Sequence, residues 1–486
     1  MGKIRSFFKD KFAFLAGHSG KSALSFREKL FISLPGPAAV MGQIVIHNAL
    51  MKFYTDIIGL NAKYYGLLYL IYSIWNAIND PLLGAYIDKM PFHKKRGKYV
   101  YLMRVTAPAM LLSFFFMLLS SPNWSQWMIF GVLLAELFIY DTGYTVYSVS
   151  YNSYFLLAVP DKEERVDVEI IRNYLGNFVG MFCTIIPTWL MVGGGKRAYI
   201  IPIFSGVVLL NALMFFLALS PLKDREKLYE TAVAPEHKNV ADIWRDVKEI
   251  VFSGPFLTYL LFFVIARGAI AAYYNPFLYM MDTVLKVTGE FATVVDTVAG
   301  VVMLLLLPFA GKLIKKYGSK NMTLVCFFPA VLGLGSLVFI NHGWQSIISY
   351  ILIILSLNVI QTSGVVMNGA LIDYDEMRTG TRKTGLYGGL FALLTTILTA
   401  FQESAFATII SHYGYDGTLE TQTERAVWGI RVGAGLVPAL LCVVGFIPLI
   451  FFPINLELEK KISDFNVKAR NGASEDAETP GKDENE

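Results

Sequence analysis

The sequence predicts an all-α membrane protein in which twelve transmembrane helices form two six-helix bundles. Its 486 residues are 55% hydrophobic and only 16% charged, a composition too apolar for a soluble protein of this length. Twelve apolar segments have about 20 residues or more, enough to cross a hydrocarbon layer about 30 Å thick. The polar stretch 221–254 follows the sixth segment and therefore divides the chain into six segments plus six.

The predicted spans follow one another along the chain, and the polar stretch 221–254 separates the sixth from the seventh. They cover residues 31–55, 64–88, 100–120, 126–155, 168–192, 199–220, 255–282, 290–313, 321–341, 346–371, 385–411 and 427–453.

Five parts follow from these spans. Residues 1–30 are basic and amphipathic, so we expect them to lie on the cytoplasmic membrane surface. Residues 31–220 form the first bundle, 221–254 a cytoplasmic central loop, and 255–453 the second bundle. The tail 454–486 ends in an acidic, polar stretch that is typical of a disordered segment.

The distribution of basic residues predicts the orientation. The loop after the second segment carries five lysines and arginines between residues 89 and 98, whereas the loops 120–126 and 341–345 carry none. Because short loops rich in positive charge stay inside, we expect both termini to be cytoplasmic in a plasma (cytoplasmic) membrane protein.

A weak internal echo supports two related halves. Gly84–Lys89, followed by Arg96–Lys98, recurs in altered form from Gly311 to Lys320 after the eighth segment. Both stretches lie where a predicted helix leaves the membrane.

Several functional classes are disfavoured. Cys183, Cys326 and Cys442 lie in apolar runs without paired spacing, so we expect neither a metal site nor a disulfide framework, and no cofactor is implied. The net charge of +4 is spread over the basic loops, which argues against nucleic acid as a partner. The motifs of metalloproteases and serine hydrolases are missing, so an enzyme is a remote alternative, as is a membrane sensor.

The second segment carries an acid deep within its apolar run. A carboxylate such as Asp80 costs at least ~2.5 kcal/mol at the centre of a membrane helix unless it faces a cavity or a partner. Asn76 and Asn79 can hydrogen-bond to it from the same helix. Asp80 is therefore a functional candidate.

The fourth segment carries a polar stripe that lipid would not tolerate. Asp141, Tyr144, Thr145 and Ser148 share one helix face at spacings of three and four residues. The stripe is expected to line a ligand site, and hydrogen bonding between helices is the alternative.

Three stretches together resemble a known family. They are 75–81 with Gly84, Asp88 and 96–98; Asp141 with 161–165 and Arg172; and 372–382 running into Gly385. This pattern is similar to that of the glycoside-pentoside-hexuronide:cation symporters, the melibiose permease branch of the major facilitator superfamily.

The resemblance implies the major facilitator fold and transport by alternating access. It implies a sugar or glycoside bound near the midplane and moved together with a proton or a sodium ion. Together with the polar positions inside the spans, it gives the expected substrate-binding residues Asp141, Tyr144, Thr145, Ser148, Arg172 and Arg267. The expected coupling residues are Asp80, Asn76, Asn79 and Thr396. A cytoplasmic gate is expected at Asp88, Arg96, Asp373, Glu376 and Arg382, with the last three in a basic loop.

Departures from the family pattern bear on the coupling ion. Family members that use sodium usually have an acid where this chain has Asn76. The melibiose permeases have a threonine where it has Phe138 and a lysine where it has Thr396. Losing an acid and a lysine together leaves the local charge unchanged. We therefore expect proton coupling rather than sodium coupling. Ala39 and Val40 replace a charged pair on the first helix, so a melibiose-type sugar is not implied.

Two arginines in or beside predicted spans have competing interpretations. Arg172 could bind sugar hydroxyls, pair with Asp141, or snorkel to the cytoplasmic surface. Arg267 lies mid-span and must meet an acid, carbonyls, water or a ligand. The sequence thus predicts a sugar symporter, expected to be monomeric in the bilayer. The alternatives are an uncoupled facilitator of the same fold and a transporter of lysolipid-like amphiphiles.

Overall fold

A computed structural model describes residues 24–159, 162–194, 197–224, 240–271, 275–380, 386–387, 390–391, 394 and 404–462. The described part is almost entirely helical, with one isolated β-bridge between His93 and Gly97. Thr396 and Arg382 lie outside the described residues, as do most of the amphipathic N-terminal segment and the end of the tail.

The helices follow one another along the chain. They are α1 (Phe26–Ile58), α2 (Ala62–Lys89), α3 (Tyr99–Met117), α4 (Gln126–Ala158), α5 (Lys162–Met191), α6 (Arg197–Leu219), α7 (Val240–Val251), α8 (Gly254–Ala271), α9 (Asn275–Tyr279), α10 (Gly289–Tyr317), α11 (Ser319–Ser336), α12 (Gly343–Thr379) and α13 (Glu424–Phe451). Residues 404–412 and 456–462 are also helical.

These helices coincide with the predicted spans to within about six residues, except in three places. The helix of the tenth span, α12, continues eight residues beyond its span, α8 and α9 share the seventh span, and much of the eleventh span lies outside the described residues. In the part of the chain that the structure describes, seven helices are long and apolar enough to cross a membrane by length and composition. The predicted central loop contains α7, a helix that composition did not predict.

One expectation about the second half is wrong. Asp373 and Glu376 were expected in a loop, but both lie in the last two turns of α12, which continues to Thr379. The helix ends at Gly380, which adopts a left-handed conformation with φ of 72° and donates its backbone N–H to the Glu376 carbonyl. Apolarity marks only the part of a helix that contacts lipid, whereas a helix ends where its capping residue stops it.

The described chain divides into two compact units. The first contains residues 1–236 together with 281–293 and 404–429, and the second contains 237–280, 294–403 and 430–486. In the first unit α1 packs against α5 and α6, while α4 packs against both α2 and α3. In the second unit α8 packs against α12 and α13, and α11 packs against α12.

Tyrosines of α4 hold α1 in place within the first unit. The Tyr147 hydroxyl donates to the Pro35 carbonyl and the Tyr151 hydroxyl donates to the Ile32 carbonyl, both at 3.1 Å. Both rings are almost completely buried. The two hydroxyls thereby join α4 to the stretch of α1 in which Pro35 and Pro37 lack backbone donors.

The turn before α3 closes the first unit. Gly97 has φ of 77°, a conformation that glycine adopts without strain. Asp224, after α6, accepts from the backbone N–H groups of Lys98 at 2.9 Å and Val100 at 3.0 Å. Arg104 donates to the Leu219 and Leu222 carbonyls at the end of α6. The orphan groups at two helix ends are thereby satisfied.

The second unit has the same capping arrangement at the corresponding stretch, Gly311 to Lys320. Gly318 has φ of 86°, and Glu459, after α13, accepts from the Ser319 backbone N–H at 3.2 Å. Lys320 donates to the carbonyls of Ile450 at 2.7 Å and Phe452 at 2.6 Å. The weak sequence echo therefore corresponds to one capping arrangement that each unit contains.

Candidate functional site

The two membrane acids predicted from the sequence lie between α2 and α4 of the first unit. α2 begins at Asn61, whose side chain accepts from the Lys63 backbone N–H, and it runs unbroken through Asp80. α4 begins at Ser125, whose hydroxyl accepts from the Met128 backbone N–H, and it carries Asp141 near its middle. The packing of α2 against α4 brings side chains of the two helices together.

Asp141 is held by two neutral donors from α2. Its Oδ1 accepts from the Tyr72 hydroxyl at 3.1 Å, and its Oδ2 accepts from the Asn79 amide at 3.2 Å. Only 2% of the residue is exposed. Burial of a carboxylate is costly unless its oxygens are hydrogen-bonded, and here each oxygen has a partner.

Asp80 has its partner on α4. The Thr145 hydroxyl donates to Asp80 Oδ1 at 2.6 Å, which is a short, charge-assisted hydrogen bond. The Asn76 amide, turned so that its nitrogen faces the carboxylate, lies 3.1 Å from both Asp80 oxygens. Asp80 is more exposed than Asp141, so it is the more accessible of the two acids to ions or water.

The two helices therefore exchange reciprocal contacts. Asp80 of α2 meets Thr145 of α4, and Asp141 of α4 meets Tyr72 and Asn79 of α2. Asn79 differs from its expected place beside Asp80. A residue one position back is rotated about 100° around the helix axis, so the Asn79 amide reaches Asp141 rather than Asp80.

The rest of the predicted α4 stripe surrounds this pair of acids. Thr145 is buried and Tyr144 and Ser148 are half-buried, and the Ser148 hydroxyl donates to the Thr145 carbonyl at 3.3 Å. The stripe thus presents hydroxyl groups next to two carboxylates. Such a surface can hydrogen-bond to polyols and can bind protons or small cations.

Arg172 of α5 does not pair with Asp141 in this structure. Its guanidinium contacts Glu169, three residues back on the same helix, and lies 5.8 Å from the centre of the Tyr151 ring. Its aliphatic stem lies against Gly36 of α1, where an added Cβ would come within 2.9 Å of it. Arg172 is thus half-buried beside the stripe, and Glu169 of the same helix neutralises its charge.

The remaining predicted site residues are distributed over both units. Arg96 is exposed, with its guanidinium carbon 5.8 Å from the centre of the Tyr101 ring. Asp373 and Glu376 are half-buried on α12. Asp88 lies on α2 and Arg267 on α8, but their side chains are outside the described structure.

Tyr72 is a site residue that sequence reasoning missed. It lies seven residues before Asn79, which places both on the same face of α2. A search of that face for polar groups at helical spacing would have found it.

Comparison with known proteins agrees with this architecture. A family model described as MFS/sugar transport protein matches residues 31–456. The glucuronide carrier protein homolog of Escherichia coli is 24% identical over 442 residues, covering 87% of this chain and 90% of that protein. The isoprimeverose transporter of Lactiplantibacillus pentosus is 21% identical over 469 residues, covering 92% of this chain and 93% of that protein.

A crystal structure of a D-xylose-proton symporter has a TM-score of 0.61 at 12% identity. The match covers 88% of this chain and 98% of that chain, and it shows that the fold is shared. The predicted fold class is confirmed, and the relatives are transporters rather than enzymes. The chain therefore belongs to the MFS/sugar transport protein family and is a multi-pass membrane transporter.

Proposed function

We propose that this transporter moves a sugar, glycoside or hexuronide together with a proton by alternating access. The observation that carries the proposal is the reciprocal arrangement of Asp80 with Thr145 and of Asp141 with Tyr72 and Asn79. Two carboxylates held by neutral donors inside a bundle form a place where a proton and a polyol can meet.

A sugar-like substrate fits the chemistry of the stripe. Asp141 can accept from substrate hydroxyls, while the hydroxyls of Tyr144, Thr145 and Ser148 can both donate and accept. Arg172 can supply a cationic donor next to this face, because its guanidinium lies over the Tyr151 ring of α4. The names of the glucuronide carrier homolog and the isoprimeverose transporter support the same substrate class.

Proton coupling fits the partners of Asp80 better than sodium coupling does. A sodium ion needs several oxygen ligands to replace its hydration shell, whereas a carboxylate takes up a proton without a cage of ligands. Asn76 and Thr145 act as donors to Asp80, and Phe138 brings no oxygen to the site. We therefore assign Asp80 as the proton carrier and Asp141 as the substrate acceptor.

The other expectations remain predictions. They are roles for Arg267 and Thr396 at the site and a cytoplasmic gate at Asp88, Arg96, Asp373, Glu376 and Arg382. They also include the plasma membrane location, cytoplasmic termini and a monomeric state.

The test is uptake into proteoliposomes under an imposed pH gradient or an imposed sodium gradient, with a panel of sugars, glycosides and uronates. We expect a pH gradient to drive accumulation and Asp80→Asn to abolish accumulation while still allowing equilibration. Asp416→Asn, an exposed acid in the loop before α13, is the matched control and should behave as wild type. Accumulation driven by sodium alone would contradict proton coupling. Equilibration without accumulation in the wild type would favour the uncoupled facilitator.

A further inference from the structure

A lysine is buried at the C-terminal end of α1. Lys52 is only 2% exposed, and its ammonium group lies 2.6 Å from Asp56 Oδ2 and 2.7 Å from Asp282 Oδ2. Asp56 is four residues further along α1, whereas Asp282 belongs to the short π-helix Met280–Val284 that follows α9, far away in the sequence. One buried cation thus joins two distant parts of the chain.

The other oxygens of both acids are also occupied. Asp56 Oδ1 accepts from the Thr55 hydroxyl at 2.7 Å and from the Tyr415 hydroxyl at 2.8 Å. Asp282 Oδ1 accepts from the Gly193 backbone N–H, after α5, at 2.8 Å. The cluster of Lys52, Asp56, Asp282 and Tyr415, here called the α1 latch, is therefore a fully bonded polar network.

Backbones come close together around the α1 latch. A Cβ on Gly417 would lie 2.6 Å from Asp56 Oδ1, and a Cβ on Gly289 would lie 3.0 Å from the Val192 carbonyl oxygen. Only glycine permits these approaches. All of these residues belong to the first compact unit, which contains the segments 281–293 and 404–429.

Those two segments are continuous with helices of the other unit. Residues 289–293 are the first turn of α10, and 424–429 are the first turns of α13, while the remainder of each helix belongs to the second unit. Within the first unit, the α1 latch therefore ties the chain segments that lead into α10 and α13 to the end of α1. The basic-loop pattern predicts that this end of the bundle lies outside the cell.

We propose that the α1 latch ties the segments 281–293 and 404–429 to the end of α1 and must break for the predicted outer side of the transporter to open. The inference rests on alternating access, in which a site faces each side in turn, and it needs neither the sugar nor the proton assignment. Lys52 and Asp56 are an i, i+4 pair on one helix, so they stay together when Asp282 and Tyr415 leave. The opened state therefore leaves no lysine unpaired, and Asp282 becomes hydrated.

The experiment measures a distance across the α1 latch in the full-length protein. Spin labels are attached at cysteines replacing Lys63, at the start of α2, and Glu420, in the loop before α13, both of which are exposed. The three native cysteines are buried and are replaced by alanine. Distance distributions are recorded in nanodiscs without substrate, and the melting temperature of each variant is measured in parallel.

We expect Asp282→Asn to raise the ratio of long to short distances by about tenfold, because a charged contact made only in the closed state is lost. Tyr415→Phe removes one hydroxyl donor from Asp56, which keeps Lys52 and Thr55 as partners, so the ratio should shift in the same direction by less, about 2- to 5-fold. If Asp282→Asn does not fold, Tyr415→Phe carries the test.

Asp416→Asn is the matched control. Asp416 lies beside Tyr415, but its hydrogen bonds stay within its own loop, to Thr418 and the Gln422 side chain. The distance distribution of the Asp416→Asn variant should therefore match that of the wild type. An unchanged distance distribution in both latch variants would overturn the inference. If the melting temperature of those variants were also lowered, the cluster would have a purely structural role. A shift of equal size in the control would overturn it too.

Discussion

Replacing Asp141 by asparagine removes one negative charge and keeps the size of the side chain. The carboxylate Oδ1 faces the Tyr72 hydroxyl and Oδ2 faces the Asn79 amide. In the variant an oxygen can still accept from Tyr72, but an NH₂ group then faces the NH₂ group of Asn79. The hydrogen bond from Asn79 is lost unless Asn79 turns its amide over.

The size of each effect follows from these contacts. Loss of one hydrogen bond at a buried site costs about 0.5–1.5 kcal/mol of stability, so the variant should fold. If substrate hydroxyls donate to the charged form, the lost charged hydrogen bond costs about 1.5–3 kcal/mol of binding free energy. Asp141→Asn should therefore weaken substrate binding by on the order of tenfold to a hundredfold.

The assay is substrate binding to purified protein, by calorimetry or thermal shift, with the sugar that gives the best response in a screen. Tyr72→Phe is the control, because it removes one hydrogen bond to Asp141 and keeps the charge. It should weaken binding by less than about tenfold. Equal affinities of Asp141→Asn and wild type would refute a direct contact and leave Asp141 with a structural role.

Three further predictions address substrate binding, orientation and stability. Arg172→Gln should weaken substrate binding by on the order of tenfold, whereas Glu169→Gln should retain it; unchanged binding in Arg172→Gln would leave the arginine as a structural partner of its acid. A cysteine replacing Lys94 should be protected from an impermeant thiol reagent added to intact cells, and one replacing Asn341 should react; the reverse labelling would overturn the orientation. Asp224→Ala should lower the melting temperature, because it leaves two backbone N–H groups before α3 without their acceptor and costs about 1–2 kcal/mol. An unchanged melting temperature would show that water replaces the carboxylate there.

The sequence alone determined the class of the protein and much of its plan. Apolar runs of membrane length identify spans because lipid cannot satisfy an exposed backbone, and this requirement is local to each segment. Asp80 and Asp141 were identified for the same reason, since an acid within an apolar helix is costly wherever its partner lies. The echo at Gly97 and Gly318 also appeared in the sequence, and each unit uses it for the same capping arrangement.

Only the tertiary structure decided which side chains meet. Helical spacing shows which residues share a face of one helix, but it does not show which face of the neighbouring helix they contact. Asn79 was expected beside Asp80 and instead donates to Asp141, and Arg172 contacts Glu169. The contact between Lys52 and Asp282 joins residues from opposite halves of the chain. Such a contact depends on how separate helices pack, which no local pattern of apolar and polar residues encodes.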